Sequence, residues 1–151
     1  MTSLTIKGFE VRMDRLYDLV HHMWVEDVGD GRVRIGMDSL GVETSGTLAH
    51  LSAVAVGTLV SRGEPFGSLE AEKYVGPLVA PLSGTIVAVN DEVFSDPRKV
   101  ESDPYESGWM IEMETTDLAA ERGGMIEGNE AIAKRFAEKV TEYRLEGVLA
   151  E

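Results

Sequence analysis

Residues 64–84 read Glu64-Pro65-Phe66-Gly67-Ser68-Leu69-Glu70-Ala71-Glu72-Lys73-Tyr74-Val75-Gly76-Pro77-Leu78-Val79-Ala80-Pro81-Leu82-Ser83-Gly84. One extended segment enters this stretch and another leaves it, so Lys73 falls near the reversal of a hairpin, where its amine projects into water. Gly67, Gly76 and Gly84 are assigned to backbone turns that support the hairpin. Pro77, Pro81 and Gly84 break the chain after the lysine. Thr85 to Val89 is then a continuous apolar run, as expected of a strand buried on both faces.

Working outward, the same style of sequence continues on both sides. Met23 to Val28 leads into Asp30-Gly31, a strong hairpin-turn dipeptide, after which Val33, Ile35 and Met37 alternate with Arg32, Arg34 and Gly36 at the period of a half-buried strand. Ser39 to Ser45 fits one short helical turn. Thr47 to Val56 resumes an extended pattern, and Ser61-Arg62-Gly63 marks another turn. Downstream, Trp109, Ile111 and Met113 alternate with Met110, Glu112 and Glu114, a strand with one wet face. Many short strands separated by glycine turns predict a mainly β fold, a small sandwich or barrel, rather than parallel-sheet units.

The character changes after Gly123-Gly124. Asn129 is placed to cap an amphipathic C-terminal helix whose apolar positions Ile132, Phe136, Val140 and Tyr143 recur at helical spacing. The expected organisation is a domain over residues 1–118, including an N-terminal extension, with a helical appendage over 119–151 packed on it.

The charge narrows the functions open to such a domain. Among 151 residues, 14 Lys and Arg stand against 27 Asp and Glu, a net charge of -13, so polyanionic nucleic acid or an anionic membrane surface would repel the chain. No cysteine is present. Disulfides, thiolate metal sites and a cysteine nucleophile are therefore excluded, and any redox chemistry must be imported. Met1 to Val20 lacks the long apolar run of a signal peptide, and no stretch approaches the roughly 20 apolar residues of a membrane span. A cytoplasmic location without membrane insertion is the expectation.

Few side chains suggest chemistry of their own. His21, His22 and His50 raise a metal site, but neighbours on a strand point to opposite faces and no third ligand has a supporting pattern, so none is assigned. Asp27 to Glu43 lacks the alternating ligands of a calcium loop. No nucleophile, base and orienting acid form a recognisable hydrolase arrangement, and Trp24 and Trp109 are read as core residues on strands. Lys73 remains: acylating its amine would remove the charge and turn a flexible four-carbon stem into the base of a longer arm. Glu70 and Glu72 are either solvated hairpin charges or acids that present the lysine to a basic ligase surface.

The order of residues around Lys73 resembles the glycine-cleavage H protein family, whose modified lysine lies in a glutamate-serine-any-lysine motif, here Glu70-Ala71-Glu72-Lys73. His22-Met23-Trp24 is similar to the family's early histidine-any-tryptophan. Arg34 to Met37, Gly63 to Gly67, Ala80 to Gly84 with Val89-Asn90, Asp103-Pro104-Tyr105 and Gly108-Trp109 follow the family's landmarks in order. The resemblance covers roughly residues 20 to 114. It implies a barrel-sandwich hybrid with the lysine at a hairpin tip and lipoic acid amide-linked to Lys73. Biotin carriers usually flank their lysine with methionine, whereas Glu72 and Tyr74 stand here.

What the resemblance implies is a carrier rather than a catalyst. Lysine stem and fatty chain together would extend well over about 10 Å, and the protein would need no acid, base or nucleophile of its own. Implied partners are a lipoate ligase or lipoyl transferase, dihydrolipoamide dehydrogenase, and the enzymes that load and unload the arm. Ala71 in place of serine, Met23 in place of glutamate and the long C-terminal helix depart from the family. The phrases Gly36 to Gly46 and Glu72 to Pro77 look closer to the lipoate-binding proteins of the heterodisulfide-reductase-like sulfur-oxidising system. On that resemblance the expected cargo is sulfur, with the aminomethyl group of glycine cleavage as the alternative. An unmodified binding or assembly module that merely keeps the fold is the alternative of another class.

Overall fold

The computed structural model describes residues 2–149. The chain opens with β1 (Ser3–Ile6), β2 (Phe9–Arg12), β3 (Leu16–Asp18), β4 (Met23–Gly29) and β5 (Arg32–Met37), then enters helix α1 (Ser39–Ser45). Strands β6 (Leu48–Ala53), β7 (Leu59–Val60), β8 (Pro65–Ala71), β9 (Val75–Val79) and β10 (Gly84–Val89) follow. Two short helices, α2 (Asp91–Ser95) and α3 (Arg98–Ser102), lead to β11 (Ile111–Thr115); beyond it come α4 (Leu118–Glu121), a 3-10 turn at Arg122–Gly124 and α5 (Asn129–Leu145). The mainly β expectation holds.

Every strand pair is antiparallel, in a two-stranded sheet β1-β2, a six-stranded sheet β3-β4-β5-β11-β10-β7 and a three-stranded sheet β6-β8-β9. The β4-β5 hairpin turns at Asp30 and Gly31, both at positive φ (57° and 75°), the backbone handedness that a tight two-residue hairpin loop asks for. From it, Met23, Val25, Val33, Ile35 and Met37 point inward to meet Leu51, Phe66, Leu69 and Leu78 of the smaller sheet. The apolar faces of two sheets thus close on each other, which is the barrel-sandwich arrangement.

The outer face of the larger sheet is covered rather than wet. Trp24 and Tyr17 point away from the inner core and are 0% and 1% exposed, gathered with Val11, Leu40, Tyr105, Ile132, Phe136 and Val140. Gly36 makes room for this layer, since a Cβ there would lie 2.6 Å from the Trp24 ring. Helix α5 therefore buries the face expected from its spacing against the sheet's second side and the N-terminal hairpin, with Phe9 and Phe136 in edge contact at 6.3 Å between ring centres.

Several local expectations are corrected. The run Thr85 to Val89 is not buried on both faces: only Ile86 is fully enclosed, and the strand carries a register shift between Ile86 and Ala88. Trp109 precedes β11 rather than lying on it, half-buried beneath Arg34 with the guanidinium 4.8 Å from its ring centre. Asn129 is the first residue of α5, and the capping position is Gly128 at φ 92° with no side-chain cap. His21 and His22 occupy a turn, not a strand, and His22 has φ 60°. Their side chains therefore do not alternate between sheet faces. The hairpin β1-β2 and strand β3 have no counterpart in the sequence reading.

Candidate functional site

The tip between β8 and β9 contains Glu72 and Lys73, closed by the amide of Ala71 donating to the carbonyl of Tyr74 at 2.8 Å. The amides of Glu72 and Lys73 are also satisfied. Glu72 donates to the carbonyl of Thr47 at 2.9 Å and Lys73 to that of Ser45 at 2.8 Å, so the backbone of the tip is tied to the corner between α1 and β6. Lys73 itself is exposed. A fixed main chain and a free amine coexist at one residue.

Gly46 makes that approach possible. It follows α1 at φ 76°, ψ -157°, a backbone region essentially confined to glycine, and a Cβ there would meet the Glu72 carboxylate at 2.7 Å. The sequence phrase from Gly36 to Gly46 contained this residue without revealing its neighbour. Gly67, Gly76 and Gly84 do not make turns as expected. They lie inside β8, β9 and β10 at ordinary φ. Gly67 and Gly84 sit where a side chain would strike the carbonyls of Ser52 and Glu114, and Gly76 faces the Tyr74 ring.

Glu70 and Glu72 are both exposed on the hairpin, as a ligase-facing pair would be, but they differ in restraint. Glu70 pairs across the sheet with Val75 and His50, whereas the Glu72 carboxylate also accepts from the amide of Thr47 at 3.3 Å.

A groove of about 380 Å³ starts at Lys73 and Tyr74, runs over Leu78 and Val79, and reaches Met23, Met37 and Val148. Its lining is more apolar than polar. His22 and Tyr143, both on its lining, meet: the imidazole Nε2 lies 2.7 Å from the tyrosine hydroxyl, and Nδ1 lies 3.3 Å from Asp38. Asp38 is fully buried and also caps α1 by accepting from the amide of Gly41 at 2.8 Å. Burial alone would favour the neutral ring, but the charge and hydrogen bond of Asp38 outweigh it and hold the His22 pKa above the ordinary histidine value. Burial and the charges of Asp38, Glu142 and Glu146 raise Tyr143, so its hydroxyl stays protonated.

A larger hollow of about 530 Å³ lies along α5, between Arg135, Glu138 and Lys139 and the loop at Leu19 and Val20, but Lys73 is not on it. No group of three or more His, Asp or Glu side chains suited to a metal ion occurs among the described residues. His21 instead pairs with Asp18 at 2.9 Å, and His50 is exposed on β6. No helix among the described residues is long and apolar enough to cross a membrane.

The chain that carries this exposed lysine and groove is similar to known proteins. The family model described as Glycine cleavage H-protein matches residues 15–139. The chain belongs to that family. Among H proteins, one from Mycobacterium avium (strain 104) is 37% identical over 105 residues, covering 70% of this chain and 80% of the relative. "Glycine cleavage system H protein 3" of Aquifex aeolicus (strain VF5) is 35% identical over 115 residues, covering 76% and 71%. The crystal structure of an H protein from Mycobacterium marinum aligns with a TM-score of 0.72 and 34% identity over 83% of this chain and 99% of that one. The match extends into α5.

Proposed function

We propose that this H-protein family member is a non-catalytic carrier with lipoic acid amide-linked to Lys73. The observation that carries the reading is the tip itself, where every backbone amide from 71 to 73 is bonded and only the lysine side chain is free. When bound, the dithiolane supplies a strained disulfide that opens to take a covalent cargo and closes again on oxidation. The chain's own work is mechanical. Ser45, Thr47 and Gly46 fix the pivot, and the apolar groove from Leu78 to Val148 offers a surface on which an aliphatic arm can lie out of water between transfers. Tethering makes each encounter with a docked enzyme effectively intramolecular.

The family match supports the aminomethyl group of the glycine cleavage system as cargo, with a lipoate ligase, the glycine cleavage enzymes and dihydrolipoamide dehydrogenase as partners. Glu70 and Glu72 are the proposed ligase contacts, and a cytoplasmic setting follows from the same reading. A sulfur cargo in a heterodisulfide-reductase-like system is the second reading. It rests on the resemblance of the phrases at 36–46 and 72–77 to that branch.

Intact-mass analysis of protein from its native host is expected to show one lipoyl group, lost in Lys73→Arg while the melting curve is unchanged. An unmodified native protein, or full biological function in Lys73→Arg, would establish the binding-module alternative. Aminomethyl loading by a glycine decarboxylase selects the first cargo. Failure of that loading, together with sulfur loading, selects the second.

A further inference from the structure

We propose that Tyr143, oriented by His22 and Asp38, is the polar contact for the sulfur end of an arm lying in the groove, so that α5 supplies a positioning residue for the cofactor's reactive atoms. This rests on Lys73 carrying lipoate. The groove includes the attachment point Lys73, is walled by Val20, Met23, Met37, Leu78 and Val148, and has Tyr143 on its lining. An aliphatic chain matches those walls, and its sulfur end, a weak hydrogen-bond donor once reduced, can meet a hydroxyl on the same lining.

Of the other hydroxyls lining the groove, Thr44 donates to the carbonyl of Gly41 at 3.2 Å and Tyr74 to that of Pro77 at 3.2 Å, while Ser45, whose carbonyl holds the Lys73 amide, lies at the attachment point. Tyr143 differs because its partner can reverse. The buried Asp38 carboxylate only accepts, which places a proton on His22 Nδ1 and leaves Nε2 of the neutral ring to accept from the tyrosine. The hydroxyl then shows lone pairs to the groove, suited to a thiol S–H. When His22 is charged, Nε2 donates instead, and the hydroxyl turns its hydrogen toward the groove, suited to a thiolate or an acceptor cargo. Gly41 permits this placement, because a Cβ there would lie 2.6 Å from that of His22.

The charged groups facing the pair are Asp38 from the start of α1, Asp18 from the end of β3, and Lys139 on α5, whose amine lies 5.3 Å from the Tyr143 ring centre; Glu142 and Glu146 flank the tyrosine. Lys139 opposes protonation of His22, and Asp18 and Asp38 favour it.

The test is a nuclear magnetic resonance titration of the His22 imidazole in the lipoyl-loaded chain with the arm oxidised and then reduced by a phosphine, with His50 as internal reference and the unloaded chain as control. A reduced arm donating S–H to Tyr143 favours the neutral ring, so reduction is expected to lower the His22 midpoint by about 0.3 or more. In Tyr143→Phe, which keeps the ring, the redox response is expected to vanish. A wild-type midpoint indifferent to reduction overturns the proposal without reference to any variant, and so does an equal response in the Phe variant. Intact mass separates the two layers: absence of a lipoyl group on Lys73 overturns the carrier reading as well, whereas a loaded chain with a redox-blind His22 overturns this inference alone.

Discussion

The two faces of the six-stranded sheet are built from different chemistry. Its inner face meets the small sheet through Val, Ile, Leu, Met and Phe. The outer face packs Trp24, Tyr17, Tyr105 and Phe136 around groups that are costly to bury. Arg15, 3% exposed, stacks 5.0 Å from the Trp24 ring, donates to the carbonyl of Tyr105 at 2.9 Å and pairs with Asp14 at 2.8 Å. Asp38 and His22 lie on the same side. The inner core is a scaffold that positions the lysine tip, while the outer layer, joining the first strands to α5, carries the polar end of the groove. The lysine tip and the buried polar groups thereby lie on opposite sides of one sheet.

That division can be broken most forcefully from within. Phe66→Ala, on β8 and wholly buried, is expected to cost about 3–5 kcal/mol in denaturant unfolding and to reduce ligase loading of Lys73 as the tip loses its foundation. Phe136→Ala opens a comparable hole in the outer layer and should cost about 3 kcal/mol, yet below its melting temperature it should leave the loading rate unchanged, because the tip's bonds to Ser45 and Thr47 are untouched. Equal loss of loading in both would erase the distinction.

Smaller changes sharpen it. Gly46→Ala places a side chain at φ 76° against Glu72 and is expected to cost about 1–3 kcal/mol, with a disproportionate fall in loading rate measured by mass spectrometry. The smallest effect is one of pH. Because the folded His22 pKa is raised by Asp38, its contribution to stability is fully present below about pH 6.5 and fades as pH rises through the folded value. Melting temperatures taken across that window should decline slightly in the wild type and lose that component in His22→Gln. The lowered carboxyl pKa values of Asp103 and Glu127 act at acid pH, outside this window.

The inner half of this architecture was legible in the sequence because it is local. Asp30-Gly31 specifies its own turn, and the alternation from Val33 to Met37 specifies its face, so the β4-β5 hairpin and its inward residues follow directly. Lys73 was placed at a reversal for the same reason. The outer half depends on residues far apart in the chain, such as His22 and Tyr143, and no periodicity reports that meeting. Gly36 appeared to be the polar side of a half-wet strand, whereas its missing side chain is what admits Trp24. His22 was misplaced on a strand because a positive φ in a non-glycine residue leaves no compositional trace.

The two carbonyls that hold the tip have a consequence for quality control. A ligase meeting residues 64–84 as a loose peptide would find a lysine whose neighbours wander, whereas the folded chain offers it on a rigid bend fastened by Ser45 and Thr47, roughly 25 residues earlier in sequence. On the proposed reading, efficient attachment at Lys73 would wait until these distant parts of the chain have met. The modification would then report correct folding, and unfolded copies would stay bare.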